Sequence, residues 1–252
     1  MDTPLLEINP SSDACQRWSG RRHTWRHTSE GGFDPARYGV APLDETTAKD
    51  YVVANHYSGS YPASKLRYAL WERDRLVGVL VFGIPTSKRA LTLPFPDLEP
   101  YVESVELSRL VLADEVPANA ESWFLARCFG EAAAAGVRGV VSFADPVPRI
   151  VNGEVVHPGH VGTIYQASNA VLCGRGTART LTMLPDGTVL NARSVQKVRR
   201  QERGHDHVER LGAAGQVHRA TVDRDRLRRP AGSPRAGKES RARSRRRRSS
   251  NP

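Results

Sequence analysis

LRYALWERDRLVGVLVFGIP (residues 66–85) is the stretch whose reading decides the fold. Leu66, Tyr68 and Leu70 fall at every second position, the period of a half-buried strand. The charged run Glu72-Arg73-Asp74-Arg75 predicts a turn, and Leu76 to Ile84 is almost continuously apolar. Such a run reads as a strand covered on both faces, so the pair predicts a β-hairpin whose second member lies inside a sheet. Pro85 ends it, because proline cannot donate to a ladder.

Downstream, VESVELSRLVL (102–112) alternates and predicts a third strand, and VRGVVSFADP (137–146) a short buried one broken by Pro146. Between them, PANAESWFLARCFGEAAAAG predicts a helix, with Asn119 or Ser122 to cap it and Gly136 at its stop. Upstream, Asp44 is an N-cap candidate for a helix over 45–56. HPGHVGTIYQASNA (157–170) predicts a helix starting near Val161 or Gly162, and TARTLTMLPDGTVLNA (177–192) a hairpin turning at Pro185-Asp186-Gly187. After the first helix the order is β-β-β-α-β-α-β-β. It predicts the α+β class, with a central mixed sheet flanked by helices.

The net charge of +10 is unevenly placed. Residues 193–252 hold 19 Lys and Arg against 6 Asp and Glu, whereas the preceding chain is slightly acidic. The composition beyond about residue 212 offers little to bury against chain entropy, which predicts a disordered Arg-rich tail over 212–252. Residues 1–40, rich in Ser, Arg, His and Gly without a sustained period, read as a poorly ordered lead-in, leaving 41–211 as the folded domain. No long apolar run predicts a membrane span, no secretory leader is expected, and Cys15, Cys128 and Cys173 read as free thiols of a reducing cytoplasm.

Four places concentrate polar groups. In ANHYSGSYP (54–62), His56, Tyr57 and Ser58 gather beside Gly59; the alternative is a polar helix end with His56 on the dipole. In VELSRLVL, strand alternation places Glu106 with Ser108 and Leu107 with Arg109, and each charge needs either a ligand or an ion-pair partner. Asp145 lies where a buried strand leaves the sheet, the usual ligand edge, or else caps the turn before Pro146. Tyr165 lies in the first turn of its helix, where the dipole favours a phenolate, and otherwise packs on the sheet. His157 and His160 are too constrained by Pro158 to share a helix face, a weak metal spacing.

Taken together and in order, NHYSGSYP, LVGVLVFGIP, VELSRLVL with NAESWFLAR, VVSFADP and HVGTIYQASNAVLCGRGTARTLTMLPDGTVL resemble the Mom family of phage DNA-modification proteins, over roughly residues 48–203. The resemblance implies an acyltransferase-like fold of the GNAT kind. It also implies an enzyme that converts the adenine N6 amino group in DNA to a carbamoylmethyl form, shielding phage DNA from host restriction in the bacterial cytoplasm. It places the family's His-Tyr-Ser signature on His56, Tyr57 and Ser58, its arginine on Arg109, its aspartate on Asp145 and its tyrosine on Tyr165. His160 and Gln166 join Ser58 and Arg109 as substrate contacts, and Lys197, Arg199 and Arg200 are the DNA-binding candidates, with the tail as tether. An iron ion is linked to the family, and His56 and Asp145 are the residues placed to touch it. The implied partners are DNA and a small-molecule donor, with no membrane and with a homodimer left open. Two departures stand out. PVPRIVNGEVVHPG (146–159) reads as an inserted hairpin turning at Asn152-Gly153 that could carry substrate contacts. ADEVPANAES (113–122) lacks the glycines of an acyl-CoA pyrophosphate loop, which speaks against acetyl-CoA as donor. The rival readings are an ordinary N-acetyltransferase and a non-catalytic DNA-binding protein.

Overall fold

The computed structural model describes residues 13–146, 148–151, 153–176, 179–183, 189–190, 192–202, 218–222 and 225–230. The described residues begin with a hairpin, β1 (Ala14–Ser19) and β2 (Arg22–His27), paired antiparallel. Its two-residue loop puts Gly20 and Arg21 at φ 53° and 66°, both left-handed as a tight primed turn requires. The poorly ordered lead-in expected over 1–40 is therefore corrected for residues 14–27. The pattern is hidden because arginines and a threonine, not aliphatics, alternate with the aromatic side chains.

Strand β3 (Tyr38–Pro42) leads into helix α1 (Glu45–Asn55), whose Asp44 cap accepts from the Thr47 N–H at 2.9 Å. The predicted hairpin follows as β4 (Ser64–Glu72) and β5 (Arg75–Gly83), then the short α2 (Arg89–Thr92), β6 (Ser104–Leu112), α3 (Ala120–Ala134) and β7 (Gly139–Phe143). Asn119 stands at the N-cap of α3 but is left-handed at φ 69° and makes no side-chain cap; Gly136 ends the helix at φ 89°. Strands β8 (Arg149–Val151) and β9 (Glu154–His157) form the inserted hairpin, with Gly153 at φ 83° in its turn. Then come α4 (Thr163–Ala167), β10 (Val171–Arg175), β11 (Arg179–Met183), β12 (Val189–Leu190), α5 (Ala192–Arg199), β13 (His218–Val222) and β14 (Asp225–Pro230). The turn at Pro185-Asp186-Gly187 lies outside the described residues.

Among the described residues the main sheet has seven strands in the order β10-β14-β7-β6-β5-β4-β3. All neighbours are antiparallel except β6 and β7, which are parallel and joined by α3 as crossover. The architecture is a mixed-sheet α+β fold, as expected. β5 is covered on both faces: Leu80 and Phe82 pack with α3, while Val79 and Val81 pack with α1 and Trp18. Within the stretch expected from 212 to be a disordered tail, the described residues are those of β13 and β14. β14 slots between β7 and β10 through main-chain pairing, which a composition rich in arginine does not forbid.

One irregularity positions the site. The β5–β6 register runs Val81↔Arg109 and then Phe82↔Leu107, so Ser108 is bulged out of the ladder. Leu107 and Leu110 consequently share the α3 face, and Val111 lies on the other. The expected pairing of Leu107 with Arg109 on one face fails, because the extra residue reverses the alternation beyond it. Gly83 makes the bulge sterically possible: a Cβ there would meet Ser108 Oγ at 2.5 Å and the Ala63 carbonyl at 2.8 Å.

Candidate active site

The C-cap of α1 releases the chain at His56, and the loop folds back on itself. The Ser58 N–H donates to His56 Nδ1 at 3.1 Å, and Ser58 Oγ lies 2.9 Å from the same nitrogen. With Nδ1 accepting, the neutral ring carries its proton on Nε2. Arg109 holds the far side of this loop, donating from Nε to the Ser60 carbonyl at 3.2 Å and from Nη2 to Ser60 Oγ at 3.1 Å.

Asp145 sits past the end of β7, 2% exposed, and the inserted hairpin closes over it. Arg149 at the start of β8 forms a buried ion pair with the Asp145 carboxylate. His157 at the end of β9 brings Nε2 to 3.8 Å from Asp145 Oδ2, and among the described residues neither of its ring nitrogens has a hydrogen bond of good geometry. The return strand is pinned where the His160 N–H donates to the Asp145 carbonyl at 2.9 Å. Gly159 permits this crossing: its φ is 82°, and a Cβ would meet the Pro146 carbonyl oxygen at 2.7 Å.

Rings join the two halves. Tyr57 lies 4.1 Å from both His56 and His157, and Arg149 stands over its ring at 5.7 Å. Trp18 of β1 closes the cluster, 4.9 Å from Tyr57 and 6.0 Å from His157. His160 continues the row to Tyr165 at 6.2 Å.

Burial, reinforced by Arg109 and by His157, holds His56 well below the ordinary histidine range. Burial does the same to His157, helped by Arg149 and His160, while the Asp145 backbone pulls weakly the other way. Both imidazoles are neutral at neutral pH. The Tyr165 phenol is pushed up to about 12 by burial, against the contact with Ser142 that lowers it. The phenolate expected from the helix dipole is thereby corrected: α4 is a single short turn, and desolvation outweighs its field.

These shifts fix a pH response. The unfolded chain binds protons on His56 and His157 below about pH 6.5, whereas the folded chain does not, so stability falls as pH drops through that value. Each histidine costs about 1 kcal/mol for the first pH unit below 6.5. Thermal unfolding is expected at a lower Tm at pH 5.5 than at 7.5, with a smaller drop in His157→Phe; an unchanged Tm in the parent would contradict the neutral assignment.

The model of the Mom protein family matches residues 37–228. The chain belongs to the Mom protein family. Comparison with curated proteins finds no match. Among solved structures, it is similar to the ribosomal-protein-S5-alanine acetyltransferase from Vibrio fischeri (8% identity, 80% of this chain and 96% of that one, TM-score 0.43). The ribosomal-protein-S18-alanine N-acetyltransferase from Escherichia coli gives 9% identity over 81% of this chain and 99% of that one, TM-score 0.40. Likeness of this degree decides nothing about donor or target.

In this Mom-family chain, His56, Tyr57, Ser58, Arg109, Asp145, His160 and Tyr165 come together at one end of the sheet. Gln166 does not: it is exposed and bonds back to the Val161 carbonyl at 3.3 Å. On α5, Lys197 is half-buried, and Arg199 and the following Arg200 are exposed. Sequence reasoning missed Arg149 and Trp18 and undervalued His157. The Asn152-Gly153 turn signalled the insertion that carries two of them, and Trp18 gave no signal of its own.

The residues named for iron do not fit it. Asp145 is held by Arg149, whose positive charge stands where a cation would approach, and among the described residues no group of three or more His, Cys, Asp or Glu is arranged to hold a metal. The N-terminal hairpin is anchored at the start of α3. There Arg17, fully buried on β1, donates from Nε to the Val116 carbonyl at 2.9 Å and from Nη2 to the Pro117 carbonyl at 2.6 Å, and pairs with Glu121. The N-terminal hairpin thus packs against the β6–α3 loop and the first turn of α3. Among the described residues, no helix is long and apolar enough to cross a membrane.

Proposed function

We propose that this protein converts the N6 amino group of adenine in DNA to its carbamoylmethyl form, protecting phage DNA from host restriction. The observation that carries this reading is the Mom-family match across 37–228, the segment that brings Tyr57, Arg109, Asp145 and Tyr165 to one end of the sheet. An N6 amino group is hidden by pairing in a duplex, so the target adenine is taken unpaired, as in base flipping. Its lone pair is delocalised into the ring, so a proton acceptor must assist as the amine displaces a leaving group from the donor's methylene carbon, the N–C bond forming while the bond to that group breaks.

His56 is less suited to accept that proton than the sequence suggested, because Nδ1 is already engaged by Ser58 and Nε2 holds the ring proton. Asp145, with the neutral His157 beside it, is the better acceptor. Tyr165, a neutral phenol far beyond neutral pH, donates a hydrogen bond to the donor's carbonyl. The Arg109 guanidinium, steadied by Ser60, faces negative charge on the donor.

The donor is a small molecule other than acetyl-CoA. The glycine-poor loop 113–122 gives main-chain amides little close approach to a pyrophosphate at the start of α3. DNA is drawn in part by Lys197, Arg199 and Arg200 and by the basic C-terminal residues. Plasmid DNA from cells making the protein should resist endonucleases whose sites contain adenine. Cleavage at the rate of control plasmid would count against the reading.

A further inference from the structure

We propose that the β1–β2 hairpin is a stacking platform for an unpaired DNA strand beside the target adenine; this rests on the DNA-modifying reading above. The hairpin precedes the matched family segment, yet it is fastened to the site. The Gly20 N–H donates to Asn55 Oδ1 at 3.2 Å and the Arg21 N–H to the Asn55 carbonyl at 3.1 Å, which sets the turn against the 56–60 loop.

Its two faces are differently used. One turns toward the body: Arg17 pairs with Glu121, Thr24 bonds Asp114, and Arg26 Nε donates to the Asp114 carbonyl at 2.8 Å. Those charges are spent on docking. The other face carries rings, because the register sets Trp18 against His23 and Gln16 against Trp25. Trp25 lies 6.2 Å from His23, His23 lies 5.9 Å from Trp18, and Trp18 lies 4.9 Å from Tyr57.

The row therefore runs without a gap from the outer hairpin to the ring cluster around Asp145. Its burial is graded: Trp18 is 5% exposed, whereas His23 and Trp25 remain half-open to solvent. An indole that served only the core would be covered like Trp18. The Trp18–His23 and His23–Trp25 contacts are edge-on, at 63° and 74°, so the row is no continuous stack and it is the half-buried Trp25 at its outer end that offers a π-face to a base next to the extruded one, a mode tolerant of sequence. Arg22, exposed at the start of β2, adds positive charge at the turn for the strand's phosphates.

The test uses the full chain with a labelled single-stranded 12-mer oligodeoxynucleotide and the same sequence as a duplex, read by fluorescence anisotropy. Trp25→Ala is expected to weaken single-strand binding about tenfold, with a change under about twofold on the duplex. Trp25→Phe should retain most of the affinity, and Arg22→Gln should flatten the log–log salt dependence on single strands by about 0.7. Single-strand binding by Trp25→Ala as tight as the parent's, or equal loss on both substrates, would overturn the proposal. Modified adenine in cells making the parent protein is scored separately. Its absence would sink the functional reading, and with it the platform's place beside a target adenine, while the single-strand binding result stands; its presence beside unchanged Trp25→Ala binding would overturn the platform alone.

Discussion

Asp145→Asn is expected to lower adenine modification by about 10²- to 10⁴-fold, the range for removing a positioned proton acceptor. The substitution keeps the shape of the side chain and removes its charge, so the loss reports on chemistry more than on packing. It also strands Arg149, whose guanidinium is buried against that carboxylate. The activity is therefore best read in Asp145→Asn/Arg149→Met, where no buried charge is left alone, and the same low activity is expected there. Modification at parental levels by the double variant would remove Asp145 from the reaction.

The second large effect is on stability. Arg149→Met leaves the Asp145 carboxylate buried with its ion-pair partner gone, which costs about 3–5 kcal/mol. Asp145→Asn alone should cost a comparable amount for the reciprocal reason. Replacing both removes the uncompensated charge, so urea denaturation should find the double variant far more stable than the sum of the single losses predicts. Strict additivity would mean that the two side chains are not coupled as described.

Much of this arrangement is legible in the sequence, and the failures have physical causes. The run from Leu76 to Ile84 announced a strand covered on both faces, and β5 is one, because apolar residues without a polar phase leave no face for water. Asp44 announced the start of α1 through its side-chain oxygen. The bulge at Ser108 was not legible: it is a matter of register between strands, and the residue that admits it, Gly83, lies in the neighbouring strand. Asp145 could be placed at a strand end from local pattern alone. Its partners Arg149 and His157 could not, since their meeting depends on how the inserted hairpin folds back at Gly159. β14 escaped because main-chain pairing, which leaves little trace in composition, holds it in the sheet.

The N-terminal hairpin shows the same limit from the other side. Its arginines look like a solvated charge run, yet Arg17 is fully buried among carbonyls and Glu121. Only the fold distinguishes an arginine that fastens the hairpin from one, such as Arg22, that faces solvent.

Mass spectrometry of nucleosides released from the DNA of cells making the parent protein, beside cells making Asp145→Asn/Arg149→Met, tests the central claim most directly. The account predicts a deoxyadenosine carrying a carbamoylmethyl group on N6 with the parent and its near absence with the variant. Unmodified deoxyadenosine in both, or equal modification in both, would contradict it.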